Sequence, residues 1–391
     1  MILDNEFTGD PRVENEVIAL REAGHQVFVL CFNYGEKEAF EDFRGAKIVR
    51  NKINSLVKNK LKGLNNTLFN FYPLYWQRKI LKFAKKYKIE ALHVHDLWML
   101  ESAVKANKKL NLPIIADLHE NFVYAIQHYK YATTFPGNIL ISQSKWKHYE
   151  EKYLKAVDKI IVVIEEARER LIRLGINEVK ISVVSNYVNI DEYSKEDEAL
   201  TESLKAKYKM NITAVYTGGF DIHRGLDIVI KGTSLIKETI KNFKLVLVGG
   251  GLIEEDLKKI VDENGLNQYV DFAGYLPHQQ LVSYVKMSDI CLIPHRKTEH
   301  TDNTIPHKLF QYMLMKKPIV ASDCKPIKRI TEETRCGLIY PFEDHTEFAK
   351  RVVNVLNNET EEYGHRGYEA VMSIYNWKAA SNELIHLYQS L

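Results

Sequence analysis

Cysteine is scarce in this chain. Cys31, Cys291, Cys324 and Cys336 are the four among 391 residues and show no CxxC spacing, so neither a disulfide framework nor a zinc knuckle is indicated and reduced structural thiols are expected. Long apolar runs are missing as well. A stretch such as Lys159 to Ile164 stops far short of the ~20 consecutive apolar residues that a spanning helix needs, and no membrane helix is expected. The opening Met1-Ile2-Leu3-Asp4-Asn5-Glu6 carries acids and lacks the basic start and apolar core of a secretion leader, which points to a cytosolic protein. Two phosphate-binding signatures are absent. There is no GxxxxGK[ST] loop, and Gly249-Gly250-Gly251 does not spell GxGxxG, so a P-loop ATPase and an ordinary dehydrogenase both lack their anchor. No internal repeat or low-complexity tract is visible.

Acidic residues are missing from one place in particular. The formal net charge of +3 comes from 54 basic and 51 acidic residues, but Arg44 to Lys88 holds 13 Lys or Arg and no Asp or Glu. Taking those 13 away leaves 41 basic residues against 51 acidic ones, and the remainder of the chain carries −10. Leu64, Leu68, Phe69, Phe71, Tyr72, Leu74, Tyr75 and Trp76 are interleaved with the cations. That mixture fits a peripheral contact with anionic lipid at the inner membrane face, and it also fits a solvated Lys-rich helix. A lone basic patch without a recognition motif makes no case for nucleic acid, and none is expected.

What is present is a rhythm of short β-branched runs and helix-length segments. Strands are expected at Val27–Phe32, Leu92–His95, Ile114–Leu118, Ile160–Ile164 and Ile181–Val184. After a polar stretch they resume at Ala214–Thr217, Leu245–Val248, Val270–Ala273, Ile290–Ile293, Ile319–Ala321 and Leu338–Tyr340. Continuous apolar strands separated by helices imply parallel sheets covered on both faces. The fold class is therefore α/β, two doubly wound Rossmann-like domains facing across a cleft, with ligands at the carboxyl ends of the strands. The expected domains are 1–186 and 187–374, with 375–391 returning to the first.

Four segments carry candidate chemistry. Thr8-Gly9-Asp10-Pro11-Arg12 closes an opening strand: Asp10 caps a helix, Pro11 suits its first position, Gly9 permits close approach and Arg12 offers a fork for phosphate or carboxylate. His93-Val94-His95-Asp96 and Asp117-Leu118-His119-Glu120 sit at strand ends. The HxHD pattern raises metal ligation, which strand geometry accommodates equally well without an ion, while His119 is placed to donate to a polar substrate. In Tyr216-Thr217-Gly218-Gly219, followed by Arg224-Gly225-Leu226, glycines let backbone amides approach an anion that Arg224 neutralises. Finally, in Asp302-Asn303-Thr304-Ile305-Pro306-His307-Lys308 a helix capped by Asn303 or Thr304, with Pro306 in its first turn, would turn N–H groups toward phosphate. Lys308 adds charge there, and Gln311 stands about two turns along.

Taken in order, these segments resemble the retaining family-4 glycosyltransferases of the GT-B fold. The likeness rests on Gly9-Asp10-Pro11-Arg12-Val13, Glu16, Gly24-His25-Gln26-Val27, His95-Asp96-Leu97, Asp117-Leu118-His119-Glu120 and Ser185-Asn186-Tyr187-Val188. It continues through Arg224-Gly225-Leu226-Asp227, Gly249-Gly250-Gly251, Pro306-His307-Lys308-Leu309-Phe310-Gln311-Tyr312-Met313 and the closing Tyr375-Asn376-Trp377. The resemblance implies transfer of a sugar from a nucleotide-diphosphate donor, without cofactor or obligatory metal, to a glycan or polyprenyl-linked acceptor in surface polysaccharide synthesis. It assigns His119, Arg224 and Asn303 to catalysis. The donor side would comprise Gly9, Gly218, Gly219, Gly249, Gly250, Tyr275, Leu276, Thr304, Ile305, Pro306, Lys308 and Gln311, and the acceptor side Arg12, His95, Asp96 and Glu120. Two departures stand out: the family's E-x7-E pair is Asn303 and Gln311 here, and its Gly-Arg beside the diphosphate is Gly218-Gly219. An amide offers the ribose one acceptor and one donor, where a carboxylate grips both hydroxyls. A degenerate partner subunit and a GT-B-type sugar-nucleotide epimerase are the alternatives these departures leave open, with a metal hydrolase through His93 and His95 more distant.

Overall fold

Buried β-branched runs form strands because each is covered on both faces and needs no polar alternation. The computed structural model describes residues 1–67, 70–126, 132, 134, 137–191, 196–358 and 360–391; Leu68 and Phe69 lie outside them. The chain divides into two units, Met1–Asn186 with Lys378–Leu391, and Tyr187–Trp377.

In the first unit the strands are β1 (Phe28–Asn33), β2 (Phe40–Phe43), β3 (Ala46–Lys52), β4 (Leu92–His95), β5 (Ile114–Leu118), β6 (Lys159–Val162) and β7 (Ile181–Val183). They run β2-β3-β1 and β4-β5-β6-β7, parallel except for β2 against β3. Residues 1–3 join the two halves: Ile2 N–H donates to His93 O at 2.8 Å, and Leu3 N–H donates to Leu30 O at 3.0 Å. Winding therefore reverses between this N-terminal segment and β4, the switch point where doubly wound sheets receive ligands.

The β2–β3 hairpin was not expected from the sequence, since Phe40-Glu41-Asp42-Phe43 reads as polar. It turns at Arg44 (φ 50°) and Gly45 (φ 82°), the left-handed pair that hairpin turns need. Consequently Arg44 to Lys88 is not one surface. Arg50 is buried, donating to Thr8 Oγ1 at 2.8 Å and to the Glu41 carboxylate, and Lys62 pairs with Asp4 at 3.2 Å.

The second unit contains β8 (Ile212–Thr217), β9 (Phe243–Val248), β10 (Val270–Gly274), β11 (Ile290–Ile293), β12 (Ile319–Ser322) and β13 (Gly337–Tyr340), all parallel in the order β10-β9-β8-β11-β12-β13. Its winding reverses between β8 and β11. One face is closed by Leu226–Thr239, whose Gly232 lies so near Phe348 that a Cβ there would come within 2.4 Å of the ring. Leu309, Phe310 and Met313 cover the other. Each fully buried aliphatic side chain of this kind contributes ~1.5–3 kcal/mol relative to exposure. No helix among the described residues is long and apolar enough to cross a membrane.

Candidate active site

At the switch point of the second unit, the loops after β8 and β11 meet. Gly225 (φ 64°) admits no side chain, because a Cβ would lie 2.0 Å from Pro294 O. Arg296 ties the loops together, donating to Asp227 at 2.8 Å through both carboxylate oxygens and to Ile222 O at 2.9 Å. This framework presents Arg224, whose Nη1 donates to His295 Nε2 at 2.9 Å. Lys308 Nζ lies 3.8 Å over the Tyr216 ring and against Gly218, where a Cβ would come within 2.8 Å of it. Among the described residues neither Arg224 nor Lys308 forms an ion pair. Burial first, then the neighbouring Arg224, hold the Lys308 ammonium well below the usual lysine range. His295 is likewise held well below the usual imidazole range, by burial and then by Arg224 and Lys308. Arg224 and the Lys308 amine gather here without a counter-charge, and an arriving anion favours the protonated ammonium, so the pair forms a receptor for an anion.

The glycines after β8 and β9 serve each other. A Cβ on Gly249 (φ 141°) would stand 1.9 Å from Gly218 O, and one on Gly251 would stand 2.4 Å from Phe220 O. Close backbone packing therefore explains Gly218 and Gly249 before any ligand does, whereas Gly219 is exposed and Gly250 would meet only the Glu254 carboxylate at 3.3 Å. Tyr275 is 90% exposed, leaving a free aromatic face, and Leu276 packs inward.

The segment around Asn303 differs from expectation. Thr301–Asn303 forms a 3-10 turn, and the helix starts at Lys308, capped by neither Asn303 nor Thr304 and placing Pro306 ahead of its first turn. The reason lies in local competition: Asn303 Nδ2 donates to Glu299 O at 2.8 Å and Thr304 Oγ1 to His300 O at 3.0 Å, so both side chains serve the loop. Thr304, Ile305 and Pro306 stay half-buried. Gln311 Nε2 lies 3.4 Å from His278 Nε2.

In the first unit, α1 (Pro11–Glu22) begins as expected: Asp10 accepts from Arg12 N–H at 3.3 Å, and Gly9 (φ 99°) donates to Glu14 at 2.7 Å. Asp10 holds two nitrogens of the Arg12 fork, Nε and Nη2, each at 3.1 Å, while the side chain stays partly exposed. Behind it lies a buried polar cluster. His93, His95 and His119 stack in sequence, with centroids 4.6 Å and 5.2 Å apart. Asp117 accepts from His93 Nε2 at 3.1 Å and faces His95 Nδ1 at 3.2 Å, and Glu16 of α1 closes the group. Burial lowers His93 to about 4 and His119 to about 3, and it raises Glu16 together with the charge of Asp117. Asp117 itself stays well below the carboxylate range, since the histidines facing it outweigh its burial. Thus His119, expected at the strand mouth, points inward. Asp96 follows β4 with φ 72°, a strained setting for a residue with a Cβ, and Glu120, beyond the end of β5, is half-buried. Glu16, Tyr216, His295, Arg296 and Tyr388 were not assigned roles from sequence; a strand-end tyrosine and a basic run after β11 were the available signals. A cavity of about 590 Å³, lined by His25, Phe28 and Tyr388 among others, lies at the amino ends of the first unit's strands, opposite that unit's switch point.

Two family models match in succession: "Glycosyltransferase Family 4" over residues 12–192 and "Glycosyl transferases group 1" over residues 200–370. Alpha-D-kanosaminyltransferase of Streptomyces kanamyceticus is 21% identical over 287 residues, 72% of each chain. Phosphatidyl-myo-inositol mannosyltransferase of Mycobacterium leprae is 23% identical over 305 residues, 77% of this chain and 74% of that one. Among solved structures, Anabaena Alr3699/HepE in complex with UDP superposes with TM-score 0.75 at 13% identity, covering 100% of this chain and 99% of that chain. With both halves matched in order and the doubly wound sheets of the GT-B fold in place, this chain belongs to the family-4 glycosyltransferases.

Proposed function

We propose that this glycosyltransferase moves a sugar from a nucleoside-diphosphate donor, with retention of configuration, to a glycan or polyprenyl-linked acceptor. The observation that carries this reading is the pair Arg224 and Lys308, cations without a carboxylate partner at the switch point of the second unit. A leaving diphosphate gathers negative charge as the glycosidic bond breaks, so prearranged cations there stabilise the transition state more than the ground state. They take the electrostatic role that a metal fills in other transferases, and no protein nucleophile is required. The likeness to a protein bound to UDP supports a uridine donor. Tyr275 offers its exposed ring to the base, and Gln311 and His278 stand for the ribose.

The acceptor side has a membrane-facing candidate. In α2 (Ser55–Gly63) no residue is buried, and Leu56 and Val57 are exposed beside Lys52 and Lys60. Phe71 and Leu74 are exposed at the start of α3 (Tyr72–Tyr87), whose Lys82, Lys85 and Lys86 face solvent. Apolar side chains framed by lysine suit anionic lipid.

Thermal-shift titration with UDP, GDP, ADP and their common sugars tests the donor, followed by NMR of the products formed with a lipid extract. A shift with one nucleotide family and an α-linked glycoside formed from an α-linked donor support the reading. An epimerised nucleotide sugar, or no shift with any nucleotide, overturns it in favour of an epimerase or a partner subunit. Replacing Leu56 and Lys60 by Asp should reduce binding to anionic vesicles about tenfold or more, and unchanged binding removes the membrane contact.

A further inference from the structure

Pro294, His295 and Arg296 follow one another after β11, and each grips the loop after β8 in its own way. Pro294 O lies where a Cβ on Gly225 would come within 2.0 Å of it. Arg296 donates from its backbone N–H to His223 O at 2.9 Å, and its guanidinium holds Ile222 O and Asp227. Between these two backbone clamps, His295 meets the side chain of Arg224. We infer that His295 is the positioning residue for Arg224, an uncharged acceptor that aims the guanidinium at the donor's diphosphate and leaves its charge intact. This rests on the proposed nucleoside-diphosphate donor.

The chemistry of the contact fixes its direction. A guanidinium has N–H donors and no acceptor, so the His295 Nε2 that lies 2.9 Å from Arg224 Nη1 presents a lone pair, and the neutral ring carries its proton on Nδ1. Burial first, and then the charges of Arg224 and Lys308, disfavour a second proton on that ring. The imidazole is also held from behind. His295 is 3% exposed, and its own carbonyl accepts from Ser322 Oγ, at the end of β12, at 2.6 Å. Among the described residues no other acceptor reaches the Arg224 guanidinium, and its Nε is buried without a partner. His295 is therefore the one anchor of that side chain, and the remaining N–H groups are left for a ligand.

Two other arginines show what a charged partner does instead. Arg12 gives two nitrogens to Asp10, each at 3.1 Å, and Arg296 gives Nη2 to both oxygens of Asp227 at 2.8 Å. In both, the carboxylate that fixes the guanidinium also answers its charge. His295 supplies the direction of such a bond without the counter-charge. A guanidinium set in place beforehand has less freedom to lose when phosphate oxygens arrive, and its full charge remains to attract them.

The full-length chain and its variants are titrated with UDP by calorimetry, with thermal midpoints to establish folding. His295→Leu should weaken UDP binding about tenfold or more, and His295→Gln, whose amide oxygen accepts the same bond, should stay within roughly threefold of the wild type. His295→Glu should lose at least as much as His295→Leu, because its carboxylate answers the charge of Arg224. If His295 acts through Arg224, the losses do not add, and His295→Leu combined with Arg224→Met should bind UDP within about twofold of Arg224→Met alone. A further loss in that double variant is the mark of a merely structural histidine and overturns the inference. Wild-type affinity in His295→Leu or His295→Glu overturns it too, as does an equal loss in His295→Gln and His295→Leu. NMR of the wild-type chain labelled with ¹⁵N-histidine is independent of any variant's folding: His295 Nε2 is expected to be unprotonated at neutral pH, and a proton on it overturns the assignment. UDP binding with none of these changes removes this inference alone, whereas no binding of UDP, GDP or ADP by the wild-type chain removes the donor reading beneath it.

Discussion

The two switch points use charge in opposite ways. In the first unit, three imidazoles and two carboxylates lie together in the core and answer one another. In the second, Arg224 and Lys308 lie within reach of each other's field with only the neutral His295 between charge and solvent-free protein. Removing one member of an internally paired cluster strands its partners and destabilises the unit that holds it, whereas an unanswered pair of cations costs stability that is recovered only when an anion arrives. The same sheet topology thus supports a bracing centre in one unit and a binding centre in the other.

That contrast can be broken at each end. The largest effect is expected at Asp117→Asn, which removes the acceptor facing His93 and His95: urea denaturation should show about 3 kcal/mol of lost stability. Gly249→Ala should cost about 2–4 kcal/mol, because its Cβ would drive Gly218 O away, and its urea midpoint measures this. Arg224→Met sharpens the comparison, since its stability should hold within ~1 kcal/mol while calorimetry shows UDP affinity falling roughly 10- to 100-fold. An equal loss of stability at Arg224 and Asp117 would erase the distinction. The smallest effect concerns pH. His295 stays neutral in the native state, whereas its unfolded counterpart protonates near pH ~6.5, so the unfolded chain binds more protons below that value. Native stability from this residue is therefore complete above pH ~6.5 and is lost as the pH falls, by up to about 1.4 kcal/mol per unit. Comparing the wild-type protein with His295→Gln between pH 7 and 5 isolates that slope.

Much of this was legible in advance for a simple reason. Strands such as Ile114–Leu118 and Leu245–Val248 are buried on both faces, and uninterrupted apolar runs announce that burial. The hairpin at Phe40–Lys52 was not legible, because its one-sided strands carry Glu41, Asp42 and Arg50, whose pairing is known only once the chain has turned. Capping at Asp10 depended on a side chain reaching two residues ahead, and it formed as expected. Capping at Asn303 failed because Glu299 O, four residues back, took the amide first.

Residue order and local patterns of burial were enough for the family, the α/β class and the glycine and arginine at the β8 loop. Folding was needed to turn His119 inward toward His95 and to rest Lys308 on Tyr216 beside Arg224. Whether a charged side chain meets a counter-charge depends on neighbours tens or hundreds of residues away, and folding alone brings those neighbours together.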